Sequence, residues 1–360
     1  MYFRLKGLAG FFLITAIWQP AEAQSWETRE KLIQLSLAQL HAEQFDSGLA
    51  TCAELRRRWP EDPAGYLNAA NVYQTMMRDY RVRLFEAQFD SLIRRAVQLA
   101  ESRAHEHSSA ENFFALGTAK GYRALHRFRR GEWSPALRDA LIALHVMNRA
   151  LAHDPAFVDP GLALALYEYW KSVKLDFGLG LFTHKREFAL GVLQKIWGQG
   201  RYVSVDAAYA LQTIHLQKGD AVAGLEINEW LYARFPNNPI CLYQRALLFE
   251  KDDRPVEALA AWEKLIGRIG AFDQASDGFL AECHLHRAQC YEHINSRTPD
   301  SHTSAQAWTA LQKAALHAQQ RQAEVELEGP LVSFDEINKE IKRMMKKYSA
   351  QVKTISPSLD

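Results

Sequence analysis

The sequence has little cysteine. Its 360 residues include four, Cys52, Cys241, Cys283 and Cys290, which are too few and too scattered for the disulfide framework of a small secreted domain. Cys283 and Cys290 are seven positions apart, so on a helix their Cα atoms would lie about 10 Å apart, beyond disulfide reach. We therefore predict free thiols in a large core.

Net charge is nearly absent as well. The chain has 43 basic and 42 acidic residues, and residues 1–23 contain two of the basic residues and one of the acidic ones. Without that segment the formal net charge is zero, so the chain lacks the overall field that draws proteins to nucleic acid or anionic membranes. We predict no nucleic-acid partner and, at most, peripheral membrane contact.

Long apolar runs are missing, and the one near the N-terminus is short. It covers about 12 residues, 7–18, where a spanning helix needs roughly 20. Arg4 and Lys6 precede it, and Ala21-Glu22-Ala23 follows as a small-x-small cleavage site. This pattern is typical of a secretory signal peptide. It predicts cleavage near Ala23 and a periplasmic or secreted protein; a retained anchor or a buried first helix are the alternatives.

Familiar catalytic motifs are also absent. The sequence contains no Gly-x-Ser-x-Gly, no His-Glu-x-x-His and no phosphate-binding glycine loop. Cys283, His286, Cys290 and His293 fall on one helical stripe, but ligands spread along roughly 15 Å of a helix cannot all reach one ion. We predict a protein that is not an enzyme and has no cofactor or metal, with a hydrolase or metalloenzyme as the least favoured alternative.

What the sequence does contain is a repeat. Helical hairpins start at Val205 and again at Pro239, and at Arg29 and again at Pro63, each pair about 34 residues apart. Within a hairpin, small residues alternate with large ones so that two helices can pack closely. In the 239–272 copy these are Leu242, Ala246, Phe249, Ala258, Trp262 and Leu265. The period predicts an all-α solenoid of about six or seven hairpins.

The repeat divides the chain into three parts, the first of which is the predicted signal peptide at 1–23. Residues 24–330 form the predicted array, with irregular stretches at 78–109 and 156–202, and residues 331–352 form a C-terminal helix. Ser333 and Glu336 make a capping box, which marks the start of that helix. Ile337, Ile341 and Met344 then form a narrow apolar stripe. The stripe predicts a cap that covers the last repeat, with a membrane-surface or partner-binding helix as the alternative.

The chain after the leader resembles the tetratricopeptide-repeat superfamily, most specifically at 29–76, 110–155 and 205–265. Several short motifs are similar to those of an exported bacterial group of this superfamily whose activity is unassigned. They are Phe114-Ala115-Leu116-Gly117, Gly121-Tyr122, Asp159, Tyr167-Glu168-Tyr169-Trp170 and Arg186-Glu187-Phe188. A fainter similarity is to fungal inclusion-body clearance proteins, which share interrupted hairpins.

The resemblance implies a right-handed superhelix whose concave groove binds extended peptides or partner helices. In the chaperone-binding branch, lysine and asparagine residues hold a terminal carboxylate. Asn68 and Asn71 match that pattern in type, whereas Ala64 and Leu67 stand where lysine would be expected.

Stacked hairpins would line the groove with fixed positions of each first helix. The predicted groove residues are Leu67, Asn71, Phe114, Thr118, Tyr209, Thr213, Tyr243, Leu247 and Gln289. The aromatic residues Phe114, Tyr209 and Tyr243 would supply most of the contact area. The alternative is that neighbouring helices of a tightly wound solenoid cover these side chains.

We predict a non-catalytic scaffold of the cell envelope that binds a peptide or protein in this groove. The alternative is a small-molecule or glycan-binding protein with a pocket in the 156–202 region, lined by Tyr167, Trp170 and Phe177. A basic run could hold an acidic partner or a lipid phosphate, or form a solvated face. That run is Arg123, His126, Arg127, Arg129 and Arg130.

Overall fold

The structure is a computed structural model that describes residues 21–176 and 183–355, and these residues form fifteen helices. Residues 1–20 of the predicted leader lie outside the described residues. The helices are α1 (Ala21–His41), α2 (Phe45–Arg58), α3 (Pro63–Tyr80), α4 (Glu86–Glu106), α5 (Ala110–Arg129), α6 (Trp133–His153), α7 (Gly161–Leu175), α8 (Thr183–Gln199), α9 (Ser204–Lys218), α10 (Ala221–Arg234), α11 (Pro239–Lys251), α12 (Pro255–Gly270), α13 (Asp277–Arg297), α14 (Ser301–Gln320) and α15 (Phe334–Ile355).

Consecutive helices pair into hairpins, from α1–α2 to α13–α14, and each hairpin packs on the next. The predicted all-α solenoid is therefore confirmed, and the described residues contain seven such hairpins. The 156–202 region holds a regular pair, α7 and α8, joined by residues that lie outside the described part. None of the described helices has the length and apolar character that a bilayer-spanning segment needs.

Small residues allow the helices of a hairpin to approach closely. Ala246 and Ala258 are fully buried beside Trp262. Between neighbouring hairpins, Gly224 of α10 allows a close contact with α11, since a Cβ atom there would lie 2.4 Å from a methyl group of Leu248. The four cysteines are free and buried, as predicted. The alternation of small and large residues read from the sequence thus forms the core.

The last helix covers the end of the array. The backbone N–H of Ser333 donates to the Glu336 carboxylate (3.1 Å), and the backbone N–H of Glu336 donates to Ser333 Oγ (3.4 Å), which is the predicted capping box. Ile337, Ile341 and Met344 are buried against α13 and α14. A lone antiparallel bridge, Val82 to Glu326, lies outside the helices.

The array closes on itself near the end of α3. Arg81, which ends α3 with a left-handed φ of 55°, forms a buried ion pair with Glu282 of α13. Its backbone carbonyl accepts a hydrogen bond from the Leu327 N–H (2.8 Å). The ring of Tyr80 stacks on Phe272 with centroids 4.0 Å apart. Helices far apart in the sequence are thereby held together across the inside of the solenoid.

Candidate functional site

A cavity of about 100 Å³ lies between α1, α3, α5 and the start of α9. First helices of successive hairpins supply most of its walls, so it lies on the inner side of the array. Its apolar lining includes Ile33, Leu37, Leu67 and Phe114, and its polar lining includes Asn68, Asn71, Thr118, Tyr122 and Asp206. We refer to it as the inner cavity.

Four of the predicted groove residues meet in this cavity: Leu67 and Asn71 on α3, and Phe114 and Thr118 on α5. Each pair is spaced i, i+4, so the two side chains of a pair lie on the same face of their helix. Because α3 and α5 are equivalent helices of adjacent hairpins, their faces turn toward the same space. Four of the nine predicted positions therefore face one cavity.

An aromatic cluster forms one wall. The Phe114 ring stacks on Tyr202 with centroids 5.8 Å apart, and both rings meet Phe157 edge-on. The backbone N–H groups of Arg201 (2.9 Å) and Val203 (3.1 Å) donate to the buried carboxylate of Asp159, which holds this loop in place. The repeat pattern did not identify Tyr202, because it lies in a loop between repeats. The residue in the sequence that could have pointed to this loop is Asp159, whose carboxylate holds it.

A wider cavity of about 660 Å³ adjoins the inner one and shares Arg29, Arg103 and Tyr202 with it. Both arginines bond to the same carboxylate, Asp62, at 2.6 Å and 2.7 Å. Asp62 also caps α3 by accepting from the Ala64 N–H (2.8 Å). Burial alone would raise the pKa of Asp62, but the hydrogen bond and charge of Arg29, with help from Arg103, keep that pKa lowered.

The opposite edge of the opening is held by Glu30 of α1. Its carboxylate accepts from Arg201 Nε (2.8 Å) and from the Tyr202 hydroxyl (2.9 Å). Burial raises the pKa of Tyr202, and the negative charge of Glu30 adds to that effect, so the phenol stays protonated and continues to donate. These contacts fix the width of the opening.

Inside the cavity, several polar side chains make no hydrogen bond within the described residues. Across the described residues, the side chains of Asn71, Thr118 and Asp206 have no hydrogen-bond partner. They face the same space as Leu67 and the Phe114 ring. An amide, a hydroxyl and a carboxylate beside an apolar wall can bind a group that is partly apolar and partly hydrogen-bonding.

The other predicted groove residues lie elsewhere. Tyr243 of α11 is 2% exposed, and its hydroxyl donates to Glu282 (2.7 Å). Leu247 packs against the same core, and Thr213 accepts a hydrogen bond from Gln244 (2.6 Å). The ring of Tyr209 packs with the α7–α10 core and its hydroxyl is buried.

Gln289 of α13 lines a separate cavity of about 180 Å³ near Glu250. The histidines of the Cys/His stripe have carboxylate partners there: His286 Nδ1 lies 3.0 Å from Glu250, and His293 Nε2 lies 3.0 Å from Asp253. In the described part of the chain, no three histidine, cysteine or acidic residues are grouped so that they could hold a metal ion.

Three of the four arginines of the basic run make ion pairs. Arg123 and Arg127 both bond to the buried Asp139 of α6, at 2.7 Å and 2.6 Å, and Arg130 pairs with Asp90 at 2.8 Å. Burial alone would raise the pKa of Asp139, but Arg123 and its neighbours lower it. These charges join α5 to α6 and to α4.

The 156–202 region also contains a depression, of about 400 Å³, at α7 and α8. Tyr169, Trp170, Arg186 and Leu190 line it. Of the three predicted residues, Trp170 contributes to it, Tyr167 is exposed on the surface, and Phe177 lies outside the described residues.

The hairpins and their period define a class, the helical-repeat proteins. Within that class, the α9–α10 and α11–α12 hairpins are tetratricopeptide-repeat-like, since they begin 35 residues apart, at Ser204 and Pro239, with small residues at the close contacts. The other successive hairpins begin 38 to 51 residues apart.

No family model and no curated protein matches the chain. Similar solved structures include a tetratricopeptide repeat protein from Parabacteroides merdae, with 15% identity and a TM-score of 0.38 over 88% of this chain and 99% of that one. Another is the Cut9–Hcn1 complex, with 12% identity and a TM-score of 0.47 over 80% of this chain and 46% of the other. A third is the P58(IPK) TPR domain, with 13% identity and a TM-score of 0.21 over 89% of this chain and 99% of that domain.

Proposed function

We propose that the protein is a non-catalytic scaffold that binds a segment of a partner protein at the inner cavity. One observation carries the proposal: four of the groove residues that the repeat pattern predicts line one cavity, in which Asn71, Thr118 and Asp206 make no hydrogen bond within the described residues. These side chains are only partly buried, so a ligand can take the hydrogen bonds that water makes with them.

The size of the cavity indicates how a partner would bind. A volume of about 100 Å³ admits one anchoring side chain, whereas the adjoining opening of about 660 Å³ admits several residues of chain. An anchor side chain would insert beside Phe114 and Leu67, and its flanking backbone would lie across Arg29 and Arg103. A few buried anchors of this kind provide most of the energy of protein interfaces.

The test begins with random dodecapeptides displayed on phage and selected on the wild-type protein. The double variant Asn71→Ala/Thr118→Ala should bind the selected peptides about tenfold or more weakly, because two hydrogen bonds of about 1 kcal/mol each are lost. Asn148→Ala is the matched control, since Asn148 is an exposed asparagine on α6. Unchanged affinity in the double variant would rule out this cavity as the binding site.

We further propose that the protein acts in the cell envelope after export. Support comes from the sequence of residues 1–23 alone. When the full chain is expressed in a bacterial host, N-terminal sequencing of the exported protein should begin at Gln24. Retention of Met1 in a cytoplasmic product would contradict export.

A further inference from the structure

Helix α6 has two apolar faces, and one of them is not covered. Ala136, Ala143 and Met147 are buried against neighbouring helices. On the other side, Trp133, Leu137 and Leu141 are 68%, 55% and 54% exposed. They are spaced i, i+4, i+8, so they form one stripe along two turns of the helix. We name these three residues the α6 stripe.

The α6 stripe is bordered by positive charge. Arg138, His145 and Arg149 are exposed on α6, and at 100° per residue all three fall along one edge of the stripe. Arg138 has no ion-pair partner among the described residues. The single acidic residue of α6, Asp139, is buried on the opposite side and is held by Arg123 and Arg127. The exposed surface of α6 therefore carries two arginines and no carboxylate.

Other second helices expose apolar residues in a different setting. On α10, Val222 is exposed together with Glu226 and Glu229. On α12, Val256 is exposed beside Glu257, which pairs with Arg254 at 2.9 Å. Each of these helices exposes a single valine, and acidic side chains accompany it. Neither α10 nor α12 therefore has an apolar stripe with a cationic edge.

We propose that the α6 stripe binds the surface of an anionic lipid bilayer, with α6 lying parallel to that surface. A helix binds in this way when an apolar face enters the boundary between headgroups and acyl chains and cations at its edge meet anionic headgroups. Tryptophan is enriched at that boundary, and Trp133 occupies one end of the stripe. The opposite face of α6 is packed in the solenoid, so only side chains enter the lipid and the attachment is peripheral.

The experiment uses the protein from residue 24 to residue 360 and two kinds of vesicle. One contains equal parts of phosphatidylglycerol and phosphatidylcholine, and the other contains phosphatidylcholine alone. In flotation assays the wild-type protein should float with the first and much less with the second. Leu137→Ser/Leu141→Ser should lower the partition constant about tenfold or more. Arg138→Glu should lower it about fivefold or more, and added salt should weaken binding.

The matched control is Val222→Ser/Val256→Ser, which removes two exposed apolar side chains from other second helices and should leave flotation unchanged within about twofold. Circular dichroism and thermal unfolding verify that each variant is folded. Absence of wild-type flotation, or equal flotation of Leu137→Ser/Leu141→Ser, would overturn the proposal. A dimer in analytical ultracentrifugation that the same variant abolishes, without lipid binding, would assign the stripe to self-association and overturn it as well.

Discussion

The inner side of the array is open in one part and filled in another. Between α3 and α5, Asn71 and Thr118 border a cavity, whereas on α11 the tyrosine predicted to line the groove, Tyr243, is buried. The filling group is Arg81, whose guanidinium lies 3.7 Å from the Phe279 ring centroid and 5.1 Å from that of Tyr243. Equivalent positions of successive repeats therefore have different roles, because a turn from a distant hairpin inserts at one of them.

This difference separates two kinds of polar residue. In the filled part, polar groups pair with each other: Glu282 accepts from Arg81 and from Tyr243. In the open part, Asn71 and Thr118 make no hydrogen bond within the described residues. Substitutions in the filled part should lower stability, and substitutions in the open part should lower binding. The predictions below test that contrast, in order of decreasing effect.

Removing the buried carboxylate of the filled part should have the largest effect. Glu282→Ala leaves the Arg81 guanidinium buried without its counter-charge, and we expect a loss of about 3–5 kcal/mol in the free energy of unfolding. Urea denaturation measures it. Glu226→Ala, at an exposed glutamate of α10, is the control and should change stability by less than about 0.5 kcal/mol. Similar losses in the two variants would refute the distinction.

A pH dependence should arise at Glu43, where α1, α3 and α11 meet. Its carboxyl group accepts from Tyr80 (2.9 Å) and Asn238 (3.1 Å). Burial raises the pKa of Glu43 to about 8, and the negative charge of Asp79 contributes. In the unfolded chain that pKa is about 4.3.

Because the folded-state pKa of Glu43 is the higher one, its contribution to stability is complete below about pH 4.3 and is lost as the pH rises through 8. The free energy of unfolding should fall by at most about 1.4 kcal/mol per pH unit through this group. Denaturation of the wild type and of Glu43→Gln across this range should show a difference that grows in favour of the variant with pH. A constant difference would contradict the assignment.

Close helix contacts can be tested with two glycines. Gly224→Ala should destabilise by about 1–3 kcal/mol, since its Cβ would lie 2.4 Å from a methyl of the buried Leu248. Gly191→Ala on α8 has open space around the new Cβ and should stabilise by about 0.5–1 kcal/mol through helix propensity. Thermal unfolding distinguishes the two signs, and equal shifts would show that Gly224 is not a close contact.

The smallest effect on stability is expected in the open part. Asn71→Ala/Thr118→Ala removes side chains that bond to nothing in the described residues, so the free energy of unfolding should stay within about 0.5 kcal/mol of the wild type. The same variant is expected to lose peptide binding. A stability loss above about 2 kcal/mol would place these residues in the core.

The sequence was sufficient for the features that depend on local spacing. The period of about 34 residues predicted the α9–α10 and α11–α12 hairpins, and Ser333 with Glu336 predicted the start of the last helix. Leu67 and Phe114 reach the inner cavity because an i, i+4 pattern determines which face of a helix they occupy. Such features follow from neighbours within a few turns.

The features that depend on closure of the array were not predictable in this way. Arg81 and Glu282 are 201 residues apart, and no spacing rule relates them. Tyr243 has the position and residue type of a groove aromatic, and it is buried by that ion pair and by the rings of Trp262 and Phe279. Tyr202 belongs to the site through a loop, where helical periodicity carries no information. The ion pair, the burial of Tyr243 and the position of Tyr202 all depend on tertiary contacts that no single repeat contains.

The closure near α3 also has a consequence for how such a chain can evolve. An open solenoid can gain or lose whole units in the middle, because each unit depends only on its neighbours. Here, inserting one hairpin between α5 and α11 would move Glu282 and Phe272 away from Arg81 and Tyr80. Duplication of a hairpin, the usual way in which repeat families diversify, would therefore separate these contact partners. The number of hairpins between α5 and α11 is fixed by the contacts that join α3 to α13.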